Sequence, residues 1–292
     1  MPLQEIFRAP ARAQCDHRAF VLRAVGIGSE VRPADGGFGL FVEAGAVALA
    51  RDQLARYEAE NSTPIKPRPV YRPSHRRAWV APALYAMVLL VIGWMAGRNF
   101  FGLDWYAAGA LSSSIPTSKE WWRAITALTM HVDHEHLLSN LGFGALFLFL
   151  SARWVGAGVA LLAATVAAIL GNVLDAILMP KTHVAIGAST LVFATLGLLS
   201  AYSWRLHVDD RLKWAHRFAP LIAGVMLLGF IGAGGETTDV LAHLTGFACG
   251  VLIALLIVAP AQAWLSNRAI QVTAAALSIA IFIAGWSVAL TN

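Results

Sequence analysis

The chain has 292 residues, of which 58% are hydrophobic and 13% charged, with a formal net charge of +5. A soluble domain carries about 25% charged residues, so this composition excludes one large soluble domain, a disordered chain and a coiled coil. Two cysteines, Cys15 and Cys249, with no C-x-x-C pair, exclude a disulfide scaffold and a thiolate zinc site.

Residues 1–78 hold 12 of the 22 basic and 8 of the 17 acidic side chains, and the remainder of the chain is close to neutral. A polar N-terminal module followed by a multi-span membrane domain is therefore predicted. The opening residues lack the continuous apolar run of a signal peptide. Residues 12–25 show helical spacing, and 30–32 with 39–43 read as two short strands around Ala34-Asp35-Gly36-Gly37. Residues 46–60 read as a second amphipathic helix with Leu49, Leu54 and Tyr57 facing a core. Residues 1–60 are thus predicted to form a small α+β cytoplasmic module. Residues 61–78, rich in Pro and Arg, read as an extended linker on an anionic membrane face. Their basic cluster is a topology signal, not a nucleic-acid site.

A membrane span needs about 20 mostly apolar residues. Seven segments qualify: 79–97, 136–150, 155–176, 189–204, 218–233, 240–264 and 270–289. The fold class is an all-α polytopic membrane protein carrying the small α+β module. Arg68, Arg72, Arg76 and Arg77 place the N-terminus in the cytoplasm. Alternation then puts Arg153, Arg205, Arg211, Lys213, Arg217 and Arg268 inside, and Glu236 and Asp239 outside. The outer loop after the first span is long and aromatic, with Phe100, Phe101, Trp105, Tyr106, Trp121 and Trp122. It is predicted to be partly embedded, with Trp122 and Arg123 anchoring it at the headgroups.

Spans two, four and six carry polar residues that a plain anchor would not need: His136 and Asn140, Ser189, and His243. All fall towards the outer ends of their spans, and His136 and Asn140 share one helix face. A serine nucleophile needs a base and a set of oxyanion donors. Ser189 is the candidate nucleophile, and His243, an imidazole that titrates near neutrality, is the candidate base. His136, Asn140 and the Ser189 backbone N–H are candidate oxyanion donors. Asp239, four residues before His243, reads as a loop charge, so a Ser–His dyad is expected. Gly246 and Gly250 follow His243 at small-xxx-small spacing and would let span six approach span four. Phe193, one turn beyond Ser189, would then stack on the His243 ring.

These residues resemble the signature of rhomboid intramembrane serine proteases. The similar segments are Gly187-Ala188-Ser189-Thr190, His136-x-x-x-Asn140, Ala242-His243-x-x-Gly246-x-x-x-Gly250, and the Trp122-Arg123 pair in the outer loop. The resemblance covers residues 79–264. It implies a six-span protease core, with 270–289 as an additional C-terminal span, and Ser189, His243, His136 and Asn140 in the roles given above. It also implies a single-span membrane protein as substrate, cut near its outer boundary, with membrane lipid around it. No cofactor and no metal are called for, and the bacterial inner membrane is the expected location. Span five and the cap segment 234–239 are gating candidates by the same resemblance. One position departs from the pattern: many family members have Gly after the serine, where Thr190 stands here, which narrows the backbone choices and can alter the cleft.

Two alternatives compete. A rhomboid-like scaffold without activity would bind transmembrane helices. A metal-dependent membrane protein would use the outer histidines His131, His134, His136, His183 and His243, although they lack the H-E-x-x-H form. Taken singly, His131, His134 and His183 read as loop or interfacial residues.

Overall fold

The computed structural model describes residues 2–61, 75–180, 182–206, 214–232, 238–257 and 264–292. Most of the predicted linker (62–74), most of the cap segment (233–237), and Arg211 and Lys213 lie outside the described residues. The chain divides into two compact units, Met1–Tyr71 and Arg72–Asn292.

The first unit holds β1 (Leu3–Ala9), α1 (Arg12–Ala24), β2 (Ser29–Ala34), β3 (Gly37–Glu43) and α2 (Val47–Asn61). The sheet is antiparallel in the order β1-β3-β2. Gly36, at φ +79°, makes the tight return between β2 and β3 that the Asp-Gly pair predicted. Pro33 is tolerated because β2 is an edge strand. Cys15, Leu22, Leu40, Val42, Ala50 and Leu54 form the core. Two features differ from the sequence reading. Strand β1 was not anticipated: a register shift between Glu5 and Phe7 breaks its alternation. Leu49 is 56% exposed, because α2 buries Ala50 and Leu54 at i, i+4 instead.

Among the described residues, the second unit has a long helix at each of the seven predicted segments. The first is α3 (Val80–Ala96). The segment after it folds into α4 (Trp105–Gly109), β4 (Leu111–Ser112), α5 (Ile115–Ser118) and α6 (Arg123–Thr126). Then come α7 (His134–Val155), α8 (Ala157–Leu178), β5 (Val184–Ala185), α9 (Ser189–Leu206), α10 (Trp214–Gly232), α11 (Val240–Ile257) and α12 (Arg268–Ala289). By length and apolarity alone, α7, α8, α11 and α12 suffice to cross a membrane, and α3 is a shorter apolar helix.

Helix α9 is central, packed against α7, α8, α10 and α11, with Leu191 through Ala194 all buried. Glycines set its distance from α11. A Cβ at Gly250 would fall on the Ala194 carbonyl oxygen, and one at Gly246 would lie 2.5 Å from the Thr190 carbonyl oxygen. A Cβ at Gly171 of α8 would sit 2.9 Å from the Gly246 Cα. Backbones approach this closely only where a side chain is missing.

Helix α12 is tied to the bundle by polar groups on one face. Gln271 Oε1 accepts from Gly158 N (2.9 Å) and Val159 N (3.2 Å). Its Nε2 donates to the carbonyls of Val155 (2.9 Å) and Leu265 (2.8 Å). One side chain thus serves the end of α7 and the start of α8, which meet at Gly156 (φ +88°). Further along, the Ser278 and Thr165 hydroxyls lie 2.8 Å apart, and Trp286 Nε1 donates to Thr129 Oγ1 at 3.0 Å.

The segment between α3 and α7 packs on the helices more than predicted. Trp105, Leu111, Leu128 and Met130 are almost fully buried, and Trp105 lies 4.7 Å from Trp286 between ring centroids. Phe101 and Trp121 remain exposed. Arg123 is partly buried within the segment. Its guanidinium turns inward and donates to the carbonyls of Ala107 (2.8 Å) and Ala110 (3.0 Å), and to Glu120 Oε1 (2.9 Å). Trp122 Nε1 likewise donates to the Ala108 carbonyl at 3.3 Å. Both residues hold the loop to itself. Pairing of β4 with β5 then ties it to the connection before α9.

Candidate active site

Ser189 is the first residue of α9. The first N–H groups of a helix have no partner within it, so Ser189 presents its hydroxyl beside a set of backbone donors. Two contacts fix the approach to this turn: Gly187 N donates to the Ala127 carbonyl at 2.9 Å, and Ala188 N to His131 Nε2 at 3.4 Å. Gly187 sits at φ +141°, a conformation that side chains rarely allow.

His136 stands in the first turn of α7. Asp133 caps that helix by accepting from His136 N at 2.7 Å. The imidazole lies against Gly187. A Cβ there would be 2.8 Å from His136 Nε2 and Cε1, and 3.6 Å from Ser189 Oγ. The missing side chain therefore leaves a small space bordered by His136 and the Ser189 hydroxyl. Asn140, one turn further, is buried, and its Nδ2 donates back to the His136 carbonyl at 3.0 Å. An amide has two N–H donors, so one more is left for another acceptor. Tyr85 Oη donates to the Asn140 backbone carbonyl at 2.9 Å, locking α3 to this turn of α7.

His243 lies in the first turn of α11 and is 6% exposed. Its ring centroid is 4.4 Å from that of Phe193, at 34° between planes. Phe193 follows Ser189 by one turn, and Gly246 follows His243 by three residues and lies on Thr190. The imidazole is thus seated beside the first turn of α9, where the spacing predicted it.

Asp239 is not a free loop charge. Its Oδ1 accepts from Ala242 N at 2.9 Å, capping α11, and its Oδ2 lies 2.7 Å from His183 Nε2. Both oxygens thus have partners of their own.

YdcA of Bacillus subtilis, named as a candidate rhomboid protease, is 31% identical to this chain over 144 residues, covering 48% of the chain and 68% of the relative. The chain belongs to the rhomboid family. The profile of the Rhomboid domain matches residues 118–260, which run from α5 through α11. Rhomboid-like protease 3 of Toxoplasma gondii is 30% identical over 151 residues (50% of this chain, 55% of the relative). The chloroplastic rhomboid-like protein 11 of Arabidopsis thaliana is 21% identical over 237 residues (72% and 78%). Membership makes this an integral membrane protein and supports an intramembrane protease type of function.

In this rhomboid chain the departure at Thr190 is absorbed by helix packing. Thr190 is 3% exposed, and its Cγ2 lies 3.0 Å from the positions where Cβ atoms on Gly171 and Gly246 would stand. The methyl fills the crossing of α8, α9 and α11.

His131 is buried within the packed loop and does not stand free at an interface. It is 9% exposed, its ring meets that of His136 edge-on at 5.0 Å, and it bonds the amide just before Ser189. Tyr106 Oη also donates to its carbonyl at 2.5 Å. Burial, reinforced by the neighbouring His136, pushes the His131 imidazole down to about 4. The ring is then neutral near pH 7, as an acceptor of the Ala188 N–H must be. The signal in the sequence was its place, five residues before His136 in the same outer loop as the Trp122-Arg123 pair. The histidine metal cluster does not assemble: among the described residues no three of His131, His134, His136, His183 and His243 bring ligand atoms to one point.

Proposed function

We propose that this rhomboid protein is an active intramembrane serine endopeptidase. The observation that carries the reading is the shared space at Gly187, bordered by Ser189 Oγ and His136 Nε2, with the His243 ring stacked one turn away on Phe193. A reacting carbonyl needs one point within reach of both a nucleophile and an oxyanion donor.

In this reading, neutral His243 takes the Ser189 proton as Oγ attacks the scissile carbonyl carbon. The carbonyl oxygen becomes an oxyanion and is held by the Ser189 N–H, the His136 ring N–H and the free N–H of Asn140 Nδ2. The C–N bond breaks, and the departing amine takes its proton from His243. Water then attacks the acyl-enzyme, giving its proton to His243, and Ser189 is regenerated. The substrate is a single-span membrane protein, entering from lipid and cut near its outer boundary. The protein sits in the bacterial inner membrane with its N-terminus in the cytoplasm, following the positive-inside rule.

The test uses purified protein in detergent with a single-span reporter. Wild type cleaves it, and Ser189→Ala and His243→Ala each lose at least about 10³-fold in kcat/KM. A fluorophosphonate probe labels wild type and not Ser189→Ala. Equal cleavage by all three proteins would overturn the assignment.

A further inference from the structure

Asp175 lies three residues before the end of α8 and is 0% exposed. Among the described residues, neither of its carboxylate oxygens has a hydrogen-bond partner. Burying a carboxylate without partners is costly, and native proteins pair such groups or give them a cation. Its side chain is aimed at two others. His183 Nε2 lies 3.5 Å from Asp175 Oδ2 and 2.7 Å from Asp239 Oδ2, and one ligand atom from each of the three lies within 4.8 Å of the others.

We propose that Asp175, His183 and Asp239 form a divalent cation site that clamps α8, the connection before β5, and the start of α11. The donor set is one imidazole nitrogen and two carboxylate oxygens. It suits zinc or another first-row divalent ion, and it leaves a coordination position for water. Ligand atoms around a tetrahedral ion at about 2.0–2.1 Å stand about 3.4 Å apart; the His183–Asp175 separation of 3.5 Å matches this, and the 2.7 Å His183–Asp239 hydrogen bond opens as the ion takes the place of its proton. Two carboxylates with a neutral imidazole carry two negative charges, which a divalent ion balances.

Outer contacts hold the ligands in place, as metal sites require. The other Asp239 oxygen is fixed by the Ala242 amide. The His183 backbone is held on both sides: its N–H donates to the Pro180 carbonyl at 2.9 Å, and its carbonyl accepts from Ser113 N at 3.2 Å. The site takes its ligands from three elements and none from Ser189, His243, His136 or Asn140. It lies apart from the proposed catalytic residues, and it does not rest on the protease reading.

The experiment is a calorimetric titration of metal-free, full-length protein in detergent with zinc chloride, with Tm followed in parallel. Wild type binds one equivalent, and at a hundredfold excess over Kd its Tm rises by about 5–10 °C. Asp175→Asn and His183→Ala bind zinc at least about tenfold more weakly and lose the shift. Metal-free Asp175→Asn unfolds no earlier than metal-free wild type, because the substitution removes an unpartnered buried charge. That measurement separates loss of the site from loss of the fold. Equal stoichiometry and affinity in wild type and Asp175→Asn overturn the proposal, as does a wild type that binds no zinc in excess. Ser189→Ala should bind zinc as wild type does, so failure of this site and failure of the protease assignment are read separately.

Discussion

A methyl group at Gly187 would stand 2.8 Å from the His136 ring, on a backbone at φ +141°. Gly187→Ala therefore meets two penalties, strain of about 1–3 kcal/mol and displacement of His136 from Ser189. Misplacement of a reacting group by about 1 Å costs about 10²-fold. Reporter cleavage by Gly187→Ala should fall by that factor or more, with Tm only modestly lower. His131 gives a prediction on pH. Its imidazole is held neutral down to about 4 in the folded protein, whereas the unfolded chain protonates it near 6.5. Between these values the unfolded state binds more protons, so stability is lost as pH falls from about 6.5 towards 4. The full effect is of the order of 3 kcal/mol. Tm measured from pH 7 to 5 should decline in wild type and decline less in His131→Gln, which keeps an acceptor for Ala188 N without the charge.

At the scale of elements, Gln271 of α12 is the side chain with most consequence for the bundle. It serves Gly158 N, Val159 N, and the carbonyls of Val155 and Leu265. Gln271→Ala leaves these four groups short of partners near the membrane end, at a cost of about 2–4 kcal/mol. Thermal unfolding in detergent should show the loss. Gln271→Glu, which keeps the acceptor and removes the donor, should fall between wild type and the alanine variant. The seventh helix is thus bonded into the bundle and is not a passive appendage. Its polar residues Gln271, Ser278 and Trp286 fall on the face turned to the core, at spacings of seven and eight.

Across the whole molecule, the long helices were legible as extended apolar runs, and four of them, α7, α8, α11 and α12, are also long and apolar enough to cross a membrane. Their ends moved by a few residues, as at α7, which begins at His134, two residues before the predicted start, with Asp133 as its cap. The seating of His243 on Phe193 was legible too, since helical spacing alone puts Phe193 one turn after Ser189. Contacts between distant segments were not. His183 and Asp175 are eight residues apart around a helix end, and only the folded turn aims one at the other. The strand Leu3–Ala9 was hidden by its bulge, and the inward turn of Arg123 by the assumption that outer-loop residues face the headgroups.

The Gln271 joint also orders events during synthesis. Gly158 and Gln271 are 113 residues apart. At about 5–20 residues per second, the ribosome needs roughly 6–23 s to travel from one to the other. For that interval the junction at Gly156 has no glutamine to serve it, and by its end α8, α9 and α11 have all been made. The helices bearing Ser189 and His243 are therefore made before the joint that fastens the α7–α8 junction, and the nascent protein passes through a stage in which these helices exist but the frame that holds them is not closed.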